Sequence, residues 1–340
     1  MINMRWARDW VAMVMSLVVL AGCAAPAAAP ASATSASLAP VDLAGGKLRV
    51  VATTNIVGDV VAQIGGDRID LTTLMGPGVD PHGYQLTPGD RRTLDDAHII
   101  FANGLGLEEG VLPVFDELDG SAPAVSVNAD VATITFVDPF AAAEEDGEAH
   151  DADQEETDHE DAHQYGEDPH TWFSVPAVMT WTDIIAASLS ALDPANAEAY
   201  AAAAAAYRDQ LAALDTEIRD LIATLPEDRR KLVTDHDEFG YFAAEYGFTV
   251  VGTVLPSLST QAASSAQDIA HLEEQIVAEG VPAIFVGTGI NPAVADQIAA
   301  DLGIQVVSLY TGSLSDADGP AASYVAFMRG NVHAIVEALR

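Results

Sequence analysis

Two histidines in this sequence occur in the same tripeptide, which makes them the first candidates for residues of a functional site. His82 and His170 each follow an Asp-Pro pair, and the carboxylates of those pairs are Asp80 and Asp168. Proline fixes its own φ and keeps the preceding residue out of the helical region, so each histidine lies on a stiffened loop. A nearby carboxylate can accept the second imidazole N–H and hold the ring as a metal ligand. A single Asp-Pro-His is more often only a turn, but its recurrence favours a metal site.

His236 is the third candidate ligand. It follows the apolar segment 231–235 and precedes the aromatic segment 239–247, so it lies where a strand passes into a helix. Open α/β sheets place ligand-binding groups at the carboxyl ends of their parallel strands. Asp237 is the carboxylate that we expect to support this imidazole from outside. The histidines within other predicted strands and helices are interpreted as structural, and these are His98, His271 and His333.

A low-complexity tract at 144–168 carries three more histidines, His150, His159 and His163. It contains thirteen carboxylates and no Lys or Arg, so it cannot bury an apolar core and is predicted to be a solvated loop. Imidazoles and carboxylates on such a loop can collect divalent cations weakly. An acidic loop that serves only solubility is the alternative.

The composition limits the classes of function. The chain has 340 residues, of which 49% are hydrophobic, and this is enough apolar material for two ordinary domains. Fourteen Lys plus Arg face 51 Asp plus Glu, and the net charge of −37 repels phosphate backbones, which argues against nucleic-acid binding. The single cysteine excludes an intramolecular disulfide and a Cys-ligated zinc cluster. A metal site must therefore use His, Asp or Glu.

That cysteine lies at the end of an export signal. Arg5 and Arg8 precede an apolar run at 10–20, which is shorter than the ~20 residues of a membrane-spanning helix. The sequence Leu-Ala-Gly-Cys that ends at Cys23 resembles the lipobox of bacterial lipoproteins, which implies cleavage before Cys23 and its lipidation. An ordinary signal with an incidental cysteine is the alternative. The Ala/Pro/Ser-rich segment 24–46 is predicted to be a disordered tether.

From Lys47 onward, short β-rich runs alternate with helical stretches. This βαβ pattern predicts an α/β fold with two similar parallel-sheet lobes, at 47–193 and 226–340. The predicted strands are 48–53, 69–75, 98–102 and 124–127 in the first lobe, and 231–235, 249–255, 283–286 and 305–309 in the second. Helices separate the second set, near 238–246, 265–279, 293–302 and 321–339.

One long helix is predicted to join the lobes, at 194–225. The segment is Ala-rich, and Leu211, Leu214, Ile218 and Leu221 repeat at helical spacing. A helix of ~30 residues is about 45 Å long, so we expect it to act as a stiff strut. An ordinary surface helix is the alternative.

Three motifs and the long helix together resemble one protein family, the metal-binding substrate-binding lipoproteins of bacterial zinc and manganese ABC transporters. The motifs are 80–90 (DPHGYQLTPGD), 167–172 (EDPHTW) and 234–243 (TDHDEFGYFA), followed by Tyr246-Gly247. The resemblance continues through Asp193-Pro194 to the Asn331-Val332 helix, and so covers nearly everything after Lys47.

The resemblance implies two lobes joined by a rigid helix, with the metal in the cleft between them. His82 and His170 would come from the first lobe and His236 from the second. It also implies a monomeric receptor outside the cytoplasm, held to the cell membrane by lipid on Cys23. Such a receptor would deliver metal to an ABC permease and its ATPase subunit.

Two positions depart from the family pattern, and both concern a carboxylate ligand. Where many members place a carboxylate after a second-lobe strand, this sequence has Gly287, and where others have Asp before Ser-Leu it has Gly312. The nearest replacements are Asp316 and Asp318, in a loop expected at the same edge of the sheet. That loop can equally be a solvated turn, and water is the remaining choice of fourth ligand.

The donor set indicates the metal. Three imidazoles with at most one carboxylate or water suit four-coordinate Zn²⁺, whereas Mn²⁺ favours more oxygen ligands. A zinc receptor is the main hypothesis and a manganese receptor the second. Three histidines with an open position also describe catalytic zinc, so a zinc-dependent hydrolase is an alternative of another class, although no His-Glu-x-x-His helix or phosphate loop occurs. An adhesin of the same fold is the last alternative.

Overall fold

A computed structural model describes residues 38–117, 122–135 and 166–340 of the chain. The predicted signal with Cys23 and most of the predicted tether lie outside the described residues. The three candidate weak ligands of the acidic tract, His150, His159 and His163, also lie outside the described residues.

The first lobe is a parallel four-stranded sheet in the order β2-β1-β3-β4. Its elements are β1 (Leu48–Thr54), α1 (Asn55–Gly65), β2 (Ile69–Met75), α2 (Pro88–Asp95), β3 (Ile99–Ala102), α3 (Leu112–Glu117) and β4 (Ala124–Ser126). All but one of the β1 residues are buried, as expected for a central strand that is covered on both faces. The Thr54 side chain accepts a hydrogen bond from the Val57 N–H, so this residue ends β1 and caps α1.

The second lobe repeats this architecture, with a parallel sheet in the order β6-β5-β7-β8. Its elements are β5 (Lys231–Thr234), α6 (Gly240–Tyr246), β6 (Thr249–Thr253), α7 (Ala266–Glu279), β7 (Ala283–Gly287), α8 (Ala293–Leu302) and β8 (Gln305–Leu309). The prediction of two similar parallel-sheet lobes is confirmed. Helix α6 begins at Gly240, two residues later than predicted, so Glu238 lies in the loop that follows β5.

Three more helices complete the described structure. Helices α4 (Val175–Leu192) and α5 (Ala197–Ile222) lie between the two sheets along the chain, and α9 (Tyr324–Leu339) is the last element. The long helix α5 has 26 residues and is about 39 Å long. It packs against α4, α1 and α9, so it is not an isolated strut. One face is buried along its whole length, at Tyr200, Ala204, Tyr207, Leu211, Leu214, Ile218 and Ile222.

One hydrophobic core continues through both lobes and the connecting helices. At its centre, the ring of Phe173 stacks on Phe239 with 4.3 Å between centroids and lies 5.8 Å from Phe327. Phe173 belongs to the first-lobe segment that follows His170, and Phe239 to the second-lobe loop that follows His236. The aromatic packing therefore joins the two lobes directly beneath the histidine-bearing loops.

Candidate metal centre

The three predicted histidines meet in one buried cluster. His82, His170 and His236 are 5%, 1% and 3% exposed. The Nε2 atoms of His82 and His170 are 3.2 Å apart, and the ring centroids of the three pairs are 5.1 to 5.6 Å apart. One ring nitrogen from each histidine lies within 4.8 Å of the other two. Tetrahedral Zn–N bonds of 2.0–2.1 Å place ligand nitrogens about 3.4 Å apart, so the cluster has the dimensions of a zinc site.

His82 is positioned by the loop after β2, which crosses to the second lobe. Asp80 Oδ1 accepts the His82 backbone N–H at 3.0 Å, and Asp80 Oδ2 accepts the Thr260 hydroxyl at 2.5 Å. The backbone N–H of Gly78 donates to Ser313 Oγ at 2.9 Å. Asp80 therefore fixes the loop that carries His82, rather than the nitrogen of its ring as predicted.

His170 is held by Asp168, as the sequence predicts. Asp168 Oδ1 lies 2.8 Å from His170 Nδ1 and also accepts the His170 backbone N–H at 2.9 Å. The loop is anchored from both lobes, since Asn103 Nδ2 donates to the Pro169 carbonyl and the Tyr241 hydroxyl donates to the Asp168 carbonyl. With Nδ1 committed to the carboxylate, Nε2 of His170 is the nitrogen that faces the cluster.

His236 is held by Asp235, which corrects the prediction of Asp237. Asp235 Oδ1 lies 2.6 Å from His236 Nδ1 and accepts the His236 backbone N–H at 2.7 Å, while Oδ2 accepts the Gly287 N–H at 2.7 Å. Asp237 lies instead beside β6, with its Oδ2 3.5 Å from the Thr253 hydroxyl.

The structure does not bring Asp316 or Asp318 to the cluster, which corrects the predicted fourth ligand. Both residues are exposed, and neither lines the pocket that contains the three histidines. The turn around them closes on itself, because the Gly319 N–H donates to the Asp316 carbonyl and Ser315 Oγ accepts the Ala321 N–H. These contacts hold the two carboxylates on the solvent side.

The two glycines at the family's carboxylate positions are packed against the site. A Cβ on Gly287 would lie 2.4 Å from Thr311 Oγ1 and 3.3 Å from Asp235 Oδ2. A Cβ on Gly312 would lie 3.2 Å from the ring of Pro81. Thr311 therefore blocks a side chain at Gly287, and Pro81 lies close to where a side chain at Gly312 would begin.

One carboxylate of the site was missed in the sequence. Glu238 is 1% exposed and lines the same pocket as the three histidines. Its Oε2 lies 3.7 Å from His236 Nε2, and neither carboxylate oxygen has a hydrogen-bond partner among the described residues. A carboxylate two residues after a ligand histidine, at the end of a parallel strand, was the available signal.

Burial and neighbouring charges shift the pKa values of the groups in the cluster in opposite directions. Burial together with charge on the other two histidines lowers the pKa of His82 to about 3, and burial lowers the pKa of His170 well below its usual range. Burial also opposes charge on His236, but Glu238 and Asp235 outweigh it and raise its pKa to about 9. Burial raises the pKa of Glu238 well above its usual range, although a charged His236 opposes this.

The residues fit a borderline-soft divalent cation. Two imidazoles are neutral and ready to bind at neutral pH, and the third must release its proton to offer Nε2. Carboxylates fix the rings of His170 and His236, so little side-chain freedom is lost on binding. The arrangement can bind a divalent cation through nitrogen while keeping bulk water away from the three histidines.

Comparison with known proteins agrees with this site. Residues 50–338 match the family model described as zinc-uptake complex component A, periplasmic. The chain is 34% identical over 302 residues to the zinc-binding protein TroA of Treponema pallidum (strain Nichols), covering 87% of this chain and 90% of TroA. It is 30% identical over 300 residues to the manganese-binding lipoprotein MntA of Bacillus subtilis (strain 168), with 86% and 90% covered.

Solved structures of periplasmic metal-binding proteins have the same fold as this chain. The structure of the Treponema pallidum TroA protein aligns with a TM-score of 0.74 at 32% identity, covering 86% of this chain and 99% of that one. A manganese-bound periplasmic metal-binding protein from Candidatus Liberibacter asiaticus aligns with a TM-score of 0.72 at 26% identity, covering 86% and 100%. This chain therefore belongs to the family of periplasmic zinc-uptake complex component A proteins.

Proposed function

We propose that this protein is the extracytoplasmic zinc receptor of an ABC importer, which captures Zn²⁺ and delivers it to the membrane permease. The convergence of three buried imidazoles at one point, from loops of two lobes, is the observation that supports this most directly. A site assembled from loops of both lobes suits capture followed by release, because movement of any one of these loops separates the ligands.

The choice of zinc rests on the donor atoms. Three imidazole nitrogens suit Zn²⁺, whereas Mn²⁺ favours sites richer in oxygen. The relatives include both a zinc-binding and a manganese-binding protein, so membership of the family leaves the metal open. Zinc is therefore the main proposal and manganese the second.

The proposal includes the partners of an importer receptor. These are the permease and its ATPase subunit, and a lipid on Cys23 would hold the monomeric receptor at the outer face of the cell membrane. The acidic tract would collect Zn²⁺ weakly through its histidines. A family of metal-uptake receptors gives no support to a zinc-dependent hydrolase.

Metal analysis of the purified protein, followed by competitive titration with Zn²⁺ and Mn²⁺, tests the proposal. We expect one tightly bound Zn²⁺ per chain and weaker binding of Mn²⁺. Tighter Mn²⁺ binding would make the protein a manganese receptor, and no tight metal would refute a receptor role. Deleting the gene should cause growth loss that is specific to zinc limitation, whereas loss of surface attachment with normal growth would indicate an adhesin.

A further inference from the structure

We infer that Glu238 supplies the fourth ligand of the captured metal, in place of the carboxylates that this chain lacks at Gly287 and Gly312. This inference rests on the proposed function, since it concerns the same cation. It assigns the anionic ligand to the loop after β5, which also carries His236.

The first argument is that neither oxygen of Glu238 makes a direct hydrogen bond within the part of the chain that the structure describes, although His236, Asp235 and Thr311 lie close to the side chain. The side chain of Glu238 is 1% exposed. The Nε2 atom of His236 is also buried without a hydrogen-bond partner among the described residues. Burying a carboxylate without hydrogen bonds is costly, and the charged ring of His236 offsets this only in part, so a cation bound beside Glu238 would offset it further.

The second argument is that the other carboxylates near the cluster are committed elsewhere. Asp168 and Asp235 each hold the Nδ1 atom of a ligand histidine. Asp80 accepts hydrogen bonds from Thr260 and from a backbone N–H. Using any of these as the metal ligand would break short hydrogen bonds that shape the site, whereas Glu238 would give up only its longer contacts with His236 and Thr311.

The third argument is distance. Glu238 Oε2 lies 3.7 Å from His236 Nε2, and two ligand atoms with bonds of about 2.1 Å lie roughly 3.4 Å apart in a tetrahedral zinc site. His236 belongs to two groups of close ligand atoms, one with His82 and His170 and one with Asp235 and Glu238. A rotation of the Glu238 side chain toward the other two imidazoles would merge the groups around one cation.

The charge supports the same assignment. Three neutral imidazoles would leave a buried Zn²⁺ with its full charge, and one carboxylate ligand reduces the net charge of the centre to +1. Because transfer of charge out of water is costly, an anionic ligand stabilises the ion in this site more than water would.

Glu238→Gln tests the inference, because it keeps the shape of the side chain and removes its charge. We expect one Zn²⁺ per chain with an affinity reduced roughly 100-fold or more, which exceeds the effect of losing an outer partner. The apo variant should unfold at the same temperature as the wild type or higher, since a buried carboxylate has been removed, and zinc should raise its unfolding temperature less. Asp316→Asn is the matched control and should bind zinc as the wild type does.

A crystal structure of the zinc-loaded wild-type protein supplies the direct readout. An oxygen of Glu238 within about 2.2 Å of the metal, together with three Nε2 atoms, confirms the inference. A water in the fourth position, with unchanged affinity in Glu238→Gln, overturns it and leaves the zinc receptor intact. Absence of tight zinc from the wild-type protein would instead refute the proposed function. A Glu238→Gln apo protein that unfolds at lower temperature while binding zinc normally would show a structural role and overturn the inference.

Discussion

The indole Nε1 of Trp172 donates a hydrogen bond of 3.0 Å to the Thr311 carbonyl, which joins the first lobe to the second next to the candidate metal ligands. The ring of Trp172 lies 5.2 Å from that of His170. A second bridge pairs the Asn55 side chain with the backbone N–H and carbonyl of Leu314. Hydrogen bonds between the two lobes therefore lie beside the cluster of three histidines.

We expect only a small change in lobe orientation when zinc binds. Helix α5 packs along its length on helices of both lobes and has no internal Gly or Pro at which a hinge would be easy. Small-angle scattering and hydrogen exchange, with and without zinc, measure this. Exchange should slow in the loops of His82, His170 and His236 and at 312–319, with the apo form the looser one. A closure of tens of degrees, or exchange changes concentrated in α5, would contradict the prediction.

Trp172→Phe should weaken the contact between the lobes. The substitution keeps most of the aromatic packing but leaves the buried Thr311 carbonyl without its donor, which costs about 1–3 kcal/mol. Trp181→Phe is a matched control, because Trp181 Nε1 donates to Asn128 within the first lobe. Denaturant titration should show a similar loss of stability for both variants. Zinc affinity should fall only for Trp172→Phe, and an equal fall in both would argue against a specific bridge.

Removing any one of His82, His170 or His236 should abolish tight binding. Each histidine offers one of three converging nitrogens, so an alanine at any of these positions should reduce zinc affinity by roughly 100-fold or more. His333→Ala is the control, since this histidine is exposed on α9. Competition with a chromophoric chelator measures the affinities. Stoichiometric tight binding in all three variants would rule out the site.

Zinc binding should release at least one proton per metal ion at pH 7, and a second where Glu238 binds as an anion, because burial raises the pKa of that carboxyl. The pKa of His236 is raised to about 9, so its ring carries a proton that the metal must displace, whereas lowered pKa values leave His82 and His170 neutral. Below pH 9, affinity should therefore rise with pH, by up to about tenfold per unit for each proton released. Calorimetry in buffers of different ionisation enthalpy counts the protons.

Asp235→Asn provides the comparison for that experiment. Loss of the carboxylate beside Nδ1 should lower the pKa of His236 and reduce the number of protons released at pH 7. Release near zero in the wild-type protein, or equal release in both proteins, would show that His236 is not the proton source.

Deleting residues 144–165 should leave the tight site unchanged. The tract offers weak ligands at His150, His159 and His163, so its removal should eliminate extra weak zinc equivalents only. The deletion stops short of Glu167, whose carboxylate accepts a hydrogen bond from the Thr133 hydroxyl. It also spares Asp168, which holds the ring of the candidate ligand His170. Isothermal titration with excess zinc separates the two classes of site. Loss of the tight equivalent would show that the tract contributes a ligand.

The alternation of strands and helices, the two similar lobes and the three histidines that cluster in the structure could all be predicted from the sequence. These features are local in origin. Strand and helix periodicity is read within a dozen residues, and a proline beside each of His82 and His170 stiffens the loop that carries it. The family motifs then placed these histidines in one cleft, and the structure brings them together.

The partners of those histidines were decided by the tertiary structure. Asp235 rather than Asp237 meets the ring of His236, and Asp316 remains in solvent, because the path of each loop sets where its side chains point. The surroundings of Gly312 cannot be read from the sequence, since its close neighbour Pro81 comes from a distant segment. Glu238 became a candidate only once burial and distance were known. The amino-acid sequence determines which side chains could bind a metal. Contacts between distant segments determine which of those side chains lie close enough to bind the same ion.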